Sequence, residues 1–171
     1  LDARTEAIVG ATRRLDAPLA GRREELAHLI AALREDGCRV VTVVGEPGIG
    51  KTRLAREVAL RAGEAATVLV ARCSSYGEGA SFGPLVEALR RADPEKALAG
   101  EPDAELVLTR IATLAGGEDA RSLGESYWAV RRLLESLAPA LLSVYDGHWA
   151  EPSLLDLVDY LGDRLEAGAL V

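Results

Sequence analysis

Methionine is absent from this 171-residue sequence, lysine occurs twice against eighteen arginines, and cysteine and histidine occur twice each. Cys38 and Cys73 lie far apart and have no metal-ligand neighbours. A zinc motif and a disulfide framework are therefore not indicated, and both residues read as buried free thiols. No apolar run reaches membrane-spanning length and no signal peptide is recognisable, so a cytoplasmic location is expected. Internal repeats and a helix-turn-helix are also missing. With a net charge of −7, direct nucleic-acid binding by this segment is not expected. Lacking Met and starting at Leu1, the sequence is expected to be cut from a longer protein at both ends.

What is present suits a packed globular domain. The chain is 49% hydrophobic and 27% charged, a balance that argues against general disorder. Residues 1–18 show no strong period, end in Asp16-Ala17-Pro18 and read as a lead-in or linker. Residues 19–171 read as one domain. From Arg22 the spacing of Leu26, Leu29, Ile30 and Leu33 predicts a helix stopped near Gly37. Arg39–Val44 is β-branched and apolar on both faces, the pattern of a buried parallel strand. A helix is predicted over about Lys51–Ala62 with Leu54, Val58 and Leu60 on its apolar stripe, closed by Gly63, and a strand over Thr67–Ala71. Residues 74–83 read as a loop, and Pro84 as the start of a helix through Leu89 and Arg90. Polar breaks at 93–103 and 115–125 flank a helix carrying Leu106, Ile111 and Leu114. Further helices are predicted from about Tyr127 to Leu137 and from Glu151-Pro152-Ser153 through Leu154, Leu155, Val158, Leu161 and Leu165. Ala140–Tyr145 reads as a third strand and Ala169–Val171 as the start of a fourth. Strands alternating with helices imply an α/β fold with a parallel sheet flanked by helices. Right-handed crossovers would collect the loops after the strands along one edge, where ligands of such sheets bind.

Gly45-Glu46-Pro47-Gly48-Ile49-Gly50-Lys51-Thr52 matches G-x-x-x-x-G-K-[ST] in full. Wrapping a triphosphate in backbone N–H groups needs a tight turn and close approach, which Gly48 and Gly50 permit. The helix that follows, with Leu54 in its opening turns, presents an anion-favouring N-terminus. Lys51 would reach the β- and γ-phosphates and Thr52 would offer its hydroxyl to Mg²⁺. A chance Gly-rich turn is the competing reading; a predicted strand before the loop and a predicted amphipathic helix after it argue against that. A carboxylate at a neighbouring strand end should complete a site for ATP and Mg²⁺, and Asp146 is the candidate, as a catalytic and metal-serving residue beside Lys51 and Thr52. A solvated Asp at a strand terminus is the plainer alternative.

Four segments in series carry a family resemblance: Leu19-Ala20-Gly21-Arg22-Arg23-Glu24-Glu25-Leu26, the GEPGIGKT loop, Ala71-Arg72-Cys73-Ser74-Ser75-Tyr76-Gly77-Glu78-Gly79, and His148-Trp149-Ala150-Glu151-Pro152. Together, over roughly residues 16–170, they resemble the AAA-type ATPase module of large bacterial regulators. This is the origin-recognition-like AAA group within the signal-transducing P-loop NTPases. Such modules occur in LuxR-type transcriptional activators and beside class III adenylate cyclase domains, and Thr12–Pro18 resembles the lead-in that follows cyclase domains. The resemblance implies a three-layer P-loop fold, truncated here before its last strands and lid. It also implies that Arg22 joins the binding set Gly45, Glu46, Pro47, Gly48, Ile49, Gly50, Lys51, Thr52 and Leu54 by contacting the adenine end. His148 and Trp149 match a His-Trp pair in which packing by Trp149 is the expected role. Tyr76 and Glu78 match a recurring loop and are expected to be solvated.

One position departs from the family pattern. Two adjacent acids are common just before the residue preceding His-Trp, whereas this chain has Tyr145-Asp146. Either Tyr145 stands at the first acidic position, or one residue is lost and Asp146 is that acid; strand alternation makes the difference decisive. In both cases one carboxylate is missing, so hydrolysis is expected to be slow while binding persists, unless Glu151 compensates. In this family a strand enters between the acid-bearing strand and the phosphate-loop strand, and this chain ends as that strand begins. The phosphate-loop strand is then expected to lack neighbours on both sides, and residues 1–171 alone to be marginally stable and weak at hydrolysis. A cooperative melt with robust turnover would overturn this. The leading functional expectation is an ATP-controlled switch acting on attached effector domains, with oligomerisation left open. The alternatives are a nucleotide-binding scaffold without useful catalysis and a small-molecule kinase. The Gly-Arg box before the loop and the His-Trp segment argue against the kinase, and fold analogy alone would not rank the three.

Overall fold

A computed structural model describes residues 21–33, 37–63, 65–74, 82–114, 123–166 and 169–170. The lead-in 1–18, Tyr76 and Glu78 fall outside these residues. The elements in order are α1 (Arg23–Ala32), α2 (Lys51–Ala62), β1 (Thr67–Arg72), α3 (Gly83–Arg91), α4 (Pro94–Ala97), α5 (Ala104–Leu114), α6 (Leu123–Ser136), β2 (Ala140–Tyr145), a 3₁₀ turn (Gly147–Trp149), α7 (Pro152–Arg164) and β3 (Ala169–Leu170). The strands form one parallel sheet in the order β1-β2-β3. In-register pairing runs from Thr67 opposite Ala140 to Arg72 opposite Tyr145.

Period-two alternation divides the sheet residues between two apolar clusters. Leu69, Ala71, Ala140 and Leu142 join Leu85, Leu89, Val107, Ile111, Leu133, Leu134, Leu157 and Leu161 in the larger one. Leu141 joins Leu26 of α1 and Leu54, Val58, Ala59 and Ala62 of α2, with Val68 and Val43 packed alongside. Residues 68, 70 and 72 of β1 and 141, 143 and 145 of β2 thus share the face that α2 covers. This alternation sets the direction of the side chains at the strand ends.

The helices fall close to the predicted positions, because each carries apolar residues at three- and four-residue steps. Within three of them the buried stripe is shifted from the residues named above. Leu60, Leu106 and Leu155 are exposed, and Ala59, Val107 and Leu157 are buried in their place. Helix α6 begins at Leu123, four residues before the predicted Tyr127, and the predicted break at 93–103 contains the short helix α4. Cys73 is buried as expected, Cys38 is only half-buried, and both are free.

The predicted strand Arg39–Val44 does not form. Only Arg39 makes a bridge, residues 40–44 are irregular, and Val40, Val41 and Val44 are exposed, Val44 by 85%. A strand exists only by pairing, whatever its local propensity. On the β3 side of β2, the described ladder consists of Ala169 and Leu170 against Ala140 and Leu141. The segment packs instead against α7, where an added Cβ on Gly162 would lie 2.7 Å from Val40 Cγ2.

The turn before α5 is fastened to α6 by Arg132. Its Nε donates to Asp103 Oδ2 at 2.9 Å and its Nη2 to Glu101 Oε2 at 3.1 Å, while Nη1 reaches Glu135 Oε2 at 3.3 Å. The bond from Arg132 is the main reason the Asp103 carboxyl is held below its ordinary value of 3.8. A group with a depressed folded-state value stabilises above its unfolded value, and that stability is lost as pH falls through the folded value. Arg132→Ala is accordingly expected to melt at a lower temperature near neutral pH. Its deficit should shrink below about pH 3.8, as thermal melts across an acid pH series would read.

Candidate functional site

The phosphate-loop motif folds as a turn closed by the bond from Ile49 N–H to Glu46 O (3.4 Å), then enters α2 through the bond from Leu54 N–H to Gly50 O (3.0 Å). Gly48 and Gly50 have φ of +81° and +96°, values that a residue with a Cβ adopts only with strain. At both positions the place of a Cβ meets nothing within 4 Å, so the loop presents open backbone to whatever it binds. Lys51 Nζ bends back onto the loop, donating to Gly45 O at 2.7 Å and to Glu46 O at 3.0 Å. The ammonium is thus held over the loop's own mouth by acceptors that an anion can replace. Thr52 sits in the first turn of α2.

Arg22 and Leu54, the other expected members of the set, border the loop and its helix. Arg22 Nη2 donates to Ile49 O at 2.8 Å, bracing the loop from the start of α1. Leu54 is buried in the cluster between α1, α2 and β2, so its side chain holds the helix that carries the loop. Trp149 was expected to pack but is 53% exposed; its ring leans on His148, with centroids 5.0 Å apart.

The end of β2 carries Tyr145 and Asp146. Tyr145 is the last strand residue and lies on the α2 face, opposite Arg72. It is 5% exposed, and its hydroxyl finds no partner among the described residues. Burial pushes the phenol above its ordinary value, against the opposing pull of Arg56 and Arg72. Asp146 has left the strand in a left-handed conformation (φ 57°), and its Oδ2 accepts from Arg72 Nη1 at 3.3 Å. The Arg72 guanidinium carbon lies 5.3 Å from the centre of the Tyr145 ring. Burial and, secondarily, the Asp146 charge raise the Cys73 thiol above its usual range. Arg72, with its ring and carboxylate partners, was missed by sequence reasoning. The in-register pairing of two strand ends was the signal that could have found it.

A polyphosphate suits this arrangement: the glycine backbone is open, the helix N-terminus is free to face an anion, and Lys51 is beside it. Toward Mg²⁺ the donors are thinner. Among the described residues no three His, Cys, Asp or Glu side chains gather as a metal cluster. A phosphate-bound Mg²⁺ needs only one or two protein groups besides phosphate and water. Thr52 fits that need, whereas Asp146 must first leave Arg72.

One of the comparisons with known proteins finds a family. A family model described as an AAA ATPase domain matches residues 18–171. No curated protein and no solved structure matches the chain. Among the described residues, no helix is long and apolar enough to cross a membrane.

Proposed function

Since this chain belongs to the AAA ATPase domain family, we propose that it binds ATP through Gly45–Thr52 and hydrolyses it slowly with Mg²⁺. The observation that carries this reading is the loop itself, with left-handed, unobstructed Gly48 and Gly50 and the Lys51 ammonium resting on its own carbonyls. In the proposed roles, the loop's backbone and Lys51 bind the phosphates, Arg22 braces the loop and contacts the adenine end, Leu54 holds the helix, and Thr52 and Asp146 serve the metal. Either Tyr145 fills the position of the first acid, the one that usually serves Mg²⁺, or Asp146 is that acid and the second is absent; in both cases one carboxylate is missing, so turnover is slow. The domain runs over 19–171 after a lead-in at 1–18, as part of a three-layer P-loop fold. It works in the cytoplasm as a nucleotide-controlled switch on attached effector domains, in a signalling or transcription-regulating protein of the LuxR-type or cyclase-linked kind. It does not bind nucleic acid itself.

A scaffold without useful catalysis is the second reading. It is favoured by a neutral Tyr145 and by the pairing of Asp146 with Arg72. Titration of the full-length protein with ATP and GTP, followed by phosphate-release assays, separates the two. Saturable ATP binding with slow release is expected, and absence of saturable binding would end both readings. Tyr145→Asp is expected to raise turnover at least tenfold, the scale on which water-positioning groups act in phosphoryl transfer. Binding with no release, in wild type and in Tyr145→Asp alike, would leave the scaffold.

A further inference from the structure

A bound triphosphate must have its charge offset, and a carboxylate beside it serves chiefly by holding hydrated Mg²⁺. At the end of β2 the side chain directed to the α2 face is instead a neutral, buried tyrosine. Arg72 stacks on that ring, and Arg56 is the other cation acting on it. The Asp146 carboxylate is already paired with Arg72. At this strand end two guanidinium groups thus stand against one carboxylate, an arrangement that attracts phosphate oxygens.

Arg72 is also arranged to be exchanged. Its side chain is 51% exposed and its bond to Asp146 is long, at 3.3 Å; exposed pairs of this kind contribute little. The ring contact holds the guanidinium over Tyr145, and among the described residues Asp146 is the one acceptor found for the five donors of the fork. A phosphate oxygen can displace Asp146 from the guanidinium at small cost. The displaced carboxylate then becomes free to serve a metal.

We propose that Arg72, seated on Tyr145, is a phosphate-binding residue supplying the counter-charge usually provided by Mg²⁺, so that ATP affinity here is largely independent of Mg²⁺. The proposal rests on the nucleotide-binding reading above. Mg²⁺ keeps its part in turnover, through Thr52 and the released Asp146.

The test is ATP affinity of the full-length protein, measured by calorimetry in Mg²⁺ and in excess EDTA. Wild type is expected to differ by less than about threefold between the two conditions. Arg72→Ala should lose about tenfold or more in EDTA, the value of a charge-assisted hydrogen bond. Arg72→Lys should fall between, since a point charge lacks the fork. Tyr145→Phe keeps the ring and should behave as wild type. Tyr145→Asp should make affinity Mg²⁺-dependent. Wild type losing tenfold or more in EDTA, or Arg72→Ala binding as wild type there, would overturn the proposal. If Arg72→Ala melts early, the wild-type comparison and the Arg72→Lys and Tyr145→Phe arms still decide it. Lys51→Ala in the same series keeps the two readings apart: wild-type affinity in that variant defeats phosphate-loop binding itself, whatever EDTA does.

Discussion

Lys51→Ala is expected to weaken ATP binding by about 100-fold, while shifting the melting temperature by no more than about 2 °C. The two effects separate because Lys51 has different partners in the two situations. In the ligand-free loop its ammonium rests on Gly45 O and Glu46 O, both bonds being exposed. Water can replace such a donor, so the folded state loses little. Once a triphosphate lies in the loop, the same ammonium meets concentrated negative charge in a partly desolvated cradle, and each charge-assisted bond is worth about 1.5–3 kcal/mol. Truncation removes those bonds and also the long-range attraction that brings the anion to the helix N-terminus. Calorimetric titration with ATP beside a thermal melt of the same preparation measures both quantities. Affinity equal to wild type would remove the central claim, and a large drop in melting temperature would show that Lys51 supports the fold instead.

How much of this was legible in the sequence depended on whether the information was local. Helix α2 was read to both ends, Lys51 and Ala62, because the phosphate-loop glycines and Gly63 punctuate it and Leu54 and Val58 mark its buried stripe. Strand β2 was read correctly from Ala140 to Tyr145, since Pro139 bounds it and its apolar run is short. Arg39–Val44 has an equally good local pattern and forms no strand, because pairing partners are not a local property. Helix α6 begins early, at Leu123, within a stretch whose polarity disguised its start. The short helix α4 follows a left-handed Asp93, a conformation that composition does not announce. The loop was readable for the reason α2 was, since its chemistry lies in eight consecutive residues. The strand-end cluster was not. It joins Arg72 to Tyr145 and Asp146 across a long sequence separation, and only the parallel register brings them together. Which side chain faces α2 likewise had to come from the packing of Leu141 against Leu54 and Val58.

That division between faces yields the second large expected effect. Leu142→Ala and Leu141→Ala each truncate a leucine at most 3% exposed on the same strand, and each is expected to cost about 3 kcal/mol, within the range for buried leucines. In a domain of this size that lowers the melting temperature by roughly 6–12 °C. Their consequences for ATP should differ. Leu142 faces the large cluster formed with α3, α5, α6 and α7, remote in packing terms from the helix that carries the loop. The folded fraction of Leu142→Ala should bind ATP within about twofold of wild type, and saturating ATP should raise its melting temperature by the wild-type increment. Leu141 packs on Leu54, Val58 and Ala62, so its loss opens a cavity directly beneath α2. Cavities of this kind are only partly closed by relaxation of their surroundings, and here the element free to relax is the one whose N-terminus presents the phosphate loop. Leu141→Ala should therefore bind ATP several-fold more weakly, and the ATP-induced rise in its melting temperature should shrink at fixed ligand concentration. Melts of both variants with and without ATP read the difference directly. Equal increments in the two would mean that α2 is held by its contacts with α1, and that the sheet does not set the position of the loop.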